Sequence, residues 1–240
     1  MRDVLALHCM LASGAAWRGV AAALPHARLA CPDLPGHGRA PDWDGGDFMD
    51  QALDLAMAAA PAGRFDVVGH SFGGCLALRL LADHPARVRS LTLIEPVMFA
   101  AAPPALQAAE RDRTAPFHAD LARGARDDAA RGFTAMWGDG RGWDAMPERQ
   151  RVAIRDRIHL VAASGPGITG DADGLLSRLP AAPPPVLIVT RTDPPAITDA
   201  IAKGLADRLA GARIRRLGQG HMIPMTDAPA LAEMLEAFWK

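Results

Sequence analysis

The 240-residue chain has no long run of like charge and only three cysteines. No apolar stretch reaches the roughly 18 to 20 residues that a membrane span requires. Each scarcity excludes something. A formal net charge of -1 without clustering gives no basic face, so nucleic acid is not an expected partner. No membrane association is expected either. Cys9, Cys31 and Cys75 cannot all pair and form no C-x-x-C, which suits a reducing, cytoplasmic compartment. The eight histidines are scattered, with no H-E-x-x-H or similar ligand spacing, so no metal is expected. There is no internal repeat. The start, Met1-Arg2 and then VLALHCMLA, loosely resembles a signal peptide. Asp3 in the would-be basic region and His8 in the apolar stretch argue against that reading.

What is present is a chain long enough for one well-filled core, half hydrophobic and 22% charged. Short, continuous apolar runs alternate with helical patterns. Strands are expected at Val4–His8, Ala27–Cys31, Phe65–Val68, Val88–Ile94, Pro185–Thr190 and Ala212–Leu217. Helices are expected around Ala15–Leu24, Phe48–Ala59, Gly73–Ala82, Thr198–Leu209 and Ala228–Trp239. This alternation means a mostly parallel sheet of about six strands with helices on both faces. From 100 to 185 no strand is expected, only helical stretches at Pro104–Arg113, Ala119–Met136 and Pro147–Ala163. Pro103-Pro104 and Pro183-Pro184-Pro185 bracket that segment. The expected organisation is a core of residues 1–99 and 186–240 carrying a helical insert.

One hexapeptide points to chemistry. GHSFGG, residues 69–74, follows a short apolar strand and opens a helix. A nucleophilic serine must stand clear of its own backbone, and a sharp strand-to-helix turn with serine at its apex achieves this. Only small residues fit two positions either side, hence Gly69 and Gly73 around Ser71. Serine needs a base, and His221 in LGQGHMIPM follows the last expected strand among glycines. The base needs an acid to hold its tautomer. Asp193, just past an apolar strand in VLIVTRTDPP, is favoured, with Glu95 in LTLIEP as its rival.

The order Ser71, Asp193, His221, with these motifs, resembles the α/β-hydrolase superfamily, and more narrowly its small cap-bearing, esterase-like members. LHCMLASGAAW resembles the family's first loop, and CPDLPGHGRAP its loop with Asp33, Gly36 and Gly38. The resemblance implies that residues 100–185 form a cap. It also implies an oxyanion hole from the backbone amides of Phe72 and Met10. Cys9 replaces the family's usual glycine, and Thr190 replaces a glycine before the acid loop. The family's first two strands look absent.

The resemblance further implies a serine hydrolase cleaving a small, apolar carboxylic ester through an acyl-enzyme, with a small-molecule substrate and no cofactor. The alternatives are a carbon–carbon bond hydrolase or lyase on the same triad, or a silent ligand-binding relative. Trp137, Trp143, Met98, Phe99 and Met222 are candidate pocket residues, with Phe117, Phe133 and Ile223 near them. Arg111, Arg113, Arg141 and Arg191 are expected to be mostly solvated surface charge.

Overall fold

The computed structural model describes residues 1–171 and 174–240. Six strands form one sheet: β1 Arg2–Leu7, β2 Ala27–Ala30, β3 Phe65–His70, β4 Val88–Ile94, β5 Val186–Thr190 and β6 Arg213–Arg216. The order is β2-β1-β3-β4-β5-β6, and every neighbouring pair is parallel. All residues of β3 and β5 are buried, as strands covered on both faces must be, the charged Asp66 of β3 included. The edge strands β2 and β6 are shorter and partly exposed.

The helices, in chain order, are α1 Arg18–Ala23, α2 Phe48–Ala59, α3 Phe72–Asp83, α4 Pro104–Ala122, α5 Arg126–Trp137 and α6 Glu148–Arg157. Then follow α7 His159–Ala163, α8 Pro166–Thr169, α9 Ala196–Arg208, α10 Ile223–Thr226 and α11 Ala228–Trp239. Alternation along the strands sorts the core in two. Leu5, Leu7 and Val67 pack with residues of α2, α3 and α9. Val4, Ala6 and Val68 pack with Val20, Leu231 and Leu235 on the other face. Each fully buried valine or leucine among these contributes about 2 kcal/mol.

Between β4 and β5 the described residues hold helices and no strand. They carry a small apolar cluster of their own, around Phe117, Trp143, Met146 and Ile158. The helix boundaries here differ from expectation. The chain stays helical through Pro116 to Ala122, then breaks at Gly124, whose φ of 76° lies in the left-handed region glycine tolerates. The expected Ala119–Met136 helix is therefore the end of α4 and all of α5. Pro147–Ala163 likewise divides at Ile158 into α6 and α7. No helix among the described residues is long and apolar enough to cross a membrane.

Candidate active site

Ser71 sits where β3 turns into α3, with φ 56° and ψ -118°. For a non-glycine residue this backbone is strained, by roughly 1–3 kcal/mol. The flanking glycines make the turn possible. A Cβ on Gly69 would collide with the Gly73 carbonyl, and one on Gly73 with the Leu7 carbonyl. The Ser71 amide donates to the Ile94 carbonyl at 2.9 Å, tying the turn to the end of β4. Because Gly74 and Cys75 donate back to the Ser71 carbonyl, the Phe72 amide lies in the first turn of α3, where no intrahelical acceptor exists.

His221 is buried at 4% exposure, in the loop after β6. Its Nδ1 is 3.2 Å from Glu95 Oε2. Glu95, not the favoured Asp193, is therefore the acid against the imidazole. Asp193 is exposed and makes no hydrogen bond or ion pair among the described residues. Its Asp-Pro-Pro turn carries it outward. Glu95 follows β4 with φ 46°, and its amide donates to the Val189 carbonyl at 2.7 Å. From there its longer side chain reaches past β5 to the histidine loop.

Arg191 is the other half of this arrangement. Its amide donates to Glu95 Oε1 at 2.8 Å and its guanidinium to Oε2 at 2.6 Å. The expectation that Arg191 is solvated surface charge is thus corrected. Burial opposes ionisation of Glu95, but hydrogen bonds from His221 and Arg191 outweigh it and hold the carboxyl below its ordinary range. Burial pushes His221 below the ordinary imidazole value, and Glu95 offsets only part of that. A carboxylate accepts only, so Nδ1 carries the proton and Nε2 of the neutral ring is left as a base.

Two further histidines hold the first loop. The Leu34 amide donates to His8 Nε2 at 3.0 Å, so His8 Nδ1–H donates to the Cys9 carbonyl at 2.7 Å. The Leu11 amide donates to His37 Nε2 at 3.0 Å, and His37 Nδ1–H donates to the Pro35 carbonyl at 2.8 Å. Burial lowers both to about 4, which preserves their acceptor nitrogens. Asp33 takes the Gly14 amide at 2.7 Å and the Arg39 amide at 2.8 Å. These bonds fix the segment carrying Met10. Burial raises the Cys9 thiol to about 12, so it is not a nucleophile there.

His70 was missed by the sequence reading. Its Nε2–H donates to the His221 carbonyl at 2.7 Å, and the two rings lie 5.0 Å apart. Burial pushes His70 down to about 3. The residue beside the serine thus anchors the histidine loop. No hydrogen bond joins Ser71 to His221 among the described residues. Bonds of this kind often close only around substrate.

A cavity of about 610 Å³ opens on Ser71 and Phe72. Met10, Phe99, Phe117, Phe133 and Trp137 line it, and Arg111 also reaches it. Trp137 meets His221 edge-on, with centroids 5.0 Å apart. Met222 faces a second cavity instead. Three expected pocket residues lie elsewhere. Met98 and Ile223 are fully buried in the sheet's two core layers, and Trp143 packs inside the insert. Arg113 pairs with the buried Glu110 at 2.5 Å, and Arg141 with Asp139 at 2.5 Å. No group of three or more potential metal ligands converges among the described residues.

Residues 4–228 match the family model described as alpha/beta hydrolase fold. Over 98 residues the chain is 39% identical to lipase LipV of Mycobacterium tuberculosis, covering 40% of this chain and 37% of that protein. Over 93 residues it is 38% identical to a pimeloyl-[acyl-carrier protein] methyl ester esterase of Nitrosomonas europaea, covering 38% and 36%. The matched stretch thus spans little more than a third of each curated relative. A hydrolase of Pseudomonas aeruginosa superposes with a TM-score of 0.75 at 22% identity, covering 99% of this chain and 89% of that one.

Proposed function

This chain belongs to the alpha/beta hydrolase fold family, and from that premise we propose that it is a serine hydrolase of carboxylic esters with an apolar acyl group. The observation that carries the reading is the buried His221–Glu95 pair, locked to the strained Ser71 turn through His70.

Ser71 Oγ attacks the ester carbonyl and passes its proton to His221 Nε2. Glu95 stabilises the imidazolium and needs no proton of its own, because Arg191 keeps it ionised. The backbone amides of Phe72 and Met10 receive the oxyanion, each donor supplying around 3 kcal/mol at the transition state. The bond between acyl carbon and alcohol oxygen then breaks. That oxygen takes the proton from His221, and an acyl-enzyme remains. Water, deprotonated by the same nitrogen, releases the acid and restores Ser71.

The partial relatives named as a lipase and a methyl ester esterase support ester chemistry. The aromatic lining above Ser71 supports an apolar acyl group. The test is covalent labelling by an alkyl fluorophosphonate together with hydrolysis of p-nitrophenyl butyrate. Both should vanish in Ser71→Ala and persist in Ser177→Ala. Hydrolysis that survives Ser71→Ala would refute the assignment, and diketone cleavage without esterolysis would reassign the reaction.

A further inference from the structure

Two cavities share a wall beside His221. The first holds Ser71 and Phe72. The second, of about 750 Å³, is walled by Ser13, Ala15 and Ala16 on one side and by Gln150 and Ala153 of α6 on the other. Met222 and Met225, beside the histidine loop, also line it. Met10, Phe133 and Trp137 belong to both walls. Trp137 is at the same time the ring against His221. The partition therefore runs through Trp137, beside the histidine, with Ser71 lining the cavity on one side and Met222 the cavity on the other.

Acyl transfer imposes a direction on such a site. The acyl group stays on the serine, while the departing oxygen must lie where the histidine can hand it a proton. Acyl and alcohol arms thus diverge at the partition. We infer that the second cavity is the leaving-group site, and that the substrates are esters with an extended alcohol arm as well as an apolar acyl arm. This rests on the ester-hydrolase reading above.

The size and lining fit that assignment. A cavity of this volume falls in the range of sites for drug-sized molecules, far beyond the needs of a methyl group. Near the partition it is lined by methionine and alanine, which suit a hydrocarbon segment. Besides Ser13 and Thr134, its polar residues are Gln150, Arg149, Arg157 and Asp139. Asp139 is tied to Arg141, and Arg157 donates to the Gly36 carbonyl at 2.8 Å. Arg149 is exposed and makes no ion pair among the described residues. The alcohol arm is accordingly apolar near the ester and polar or anionic at its far end.

The test uses two selectivity ratios of kcat/KM, followed by proton release. The alcohol ratio compares hexyl butyrate with methyl butyrate; the acyl ratio compares methyl octanoate with methyl butyrate. Ala153 faces the second cavity from α6 and Ala115 the first from α4, and both are exposed, so a bulky side chain fits the fold at either place. Ala153→Trp should lower the alcohol ratio at least tenfold and leave the acyl ratio within twofold. Ala115→Trp should do the reverse. Ala15→Trp, filling the second cavity from the core side, repeats the first result should Ala153→Trp fail to fold. Substitutions in the second cavity that spare the alcohol ratio, or that move both ratios together, would overturn the inference while esterolysis stands. Failure of the unaltered chain to turn over any of the esters would instead remove the ester-hydrolase reading itself, and the inference with it.

Discussion

At the amino ends of the strands Asp66 is buried against Arg2, Arg89 and Ser90, with contacts of 2.5, 2.5 and 2.6 Å. At the carboxyl ends Glu95 is buried against Arg191 and His221. Both carboxyls lose solvation, and both are nonetheless held below their ordinary range by the hydrogen bonds they accept. The difference lies in the partners. Arginines never release a proton near neutrality, so the Asp66 cluster has one charge state. Glu95 keeps one partner, His221, that can gain a proton and lose it. The same burial that makes one end of the sheet a fixed clamp makes the other end a base.

The sharpest way to break this comparison is to replace each carboxyl by its amide. Glu95→Gln presents an amide where a carboxylate held the Nδ1 proton, so the imidazole loses its tautomer and its counter-charge. A loss of about 10³- to 10⁴-fold in kcat is expected. Asp193→Asn should alter kcat/KM less than twofold. Steady-state rates on p-nitrophenyl butyrate decide between the two acids, and a larger loss in Asp193→Asn would return that residue to the role.

Asp66→Asn should do the opposite. Removing one member of a buried ion cluster strands the others. The cost is about 3 kcal/mol, at the low end for such pairs because Arg2 and Arg89 are each about one-third exposed and can rehydrate. The urea midpoint should fall while kcat per folded molecule holds. A loss of kcat without loss of stability would deny that this end is only structural.

His70 gives a smaller and more specific effect. His70→Phe removes the donor to the His221 carbonyl and leaves that oxygen buried, worth about 1–2 kcal/mol or roughly tenfold in kcat. His70→Gln retains a donor and should recover part of the loss. KM should move little in either. Equal losses in Phe and Gln variants would mean that ring packing, not the hydrogen bond, does the positioning.

The turn at Ser71 and the loop that carries His221 were legible in the sequence because their local patterns state a geometric need. Glycines at 69 and 73 serve a turn that no Cβ can share, and a strand and a helix bracket it. The carboxylate that meets His221 was not decided locally. Asp193 and Glu95 both follow strands, and what separates them is Arg191, which folds onto a carboxylate 96 residues away. His70 held the variable place of the motif, where nothing in the pattern demands an imidazole. Met98, Trp143 and Ile223 show a related limit. Apolarity says that a side chain leaves water, not whether it enters the core or faces a cavity. The central strands were readable from their mostly apolar runs, although β3 carries the buried Asp66 and the edge strand β6 reads RIRR. The break between α4 and α5 turned on Gly124, while Pro116, the stronger local stop signal, was absorbed.

The subtlest contrast is in pH. In the proposed mechanism His221 must be neutral to take the serine proton, so kcat/KM should be lost as pH falls through its pKa. Burial and the nearby Arg191 cation both lower that pKa, and Glu95 raises it, leaving it below the ordinary value of 6.5. The acid limb of the profile therefore lies below pH 6.5. Arg191→Gln removes the cation while Glu95 still faces Nδ1. One lowering influence is gone, so the acid limb should move toward higher pH. Arg89→Gln, at the far end of the sheet, removes an equal charge from a cluster with no proton to exchange, and its acid limb should coincide with that of the unaltered chain. Profiles of kcat/KM between pH 4 and 8 for the three proteins read this directly. Coincident profiles for all three would show that Arg191 serves only to fasten Glu95, and that the two ends of the sheet differ less than their partners imply.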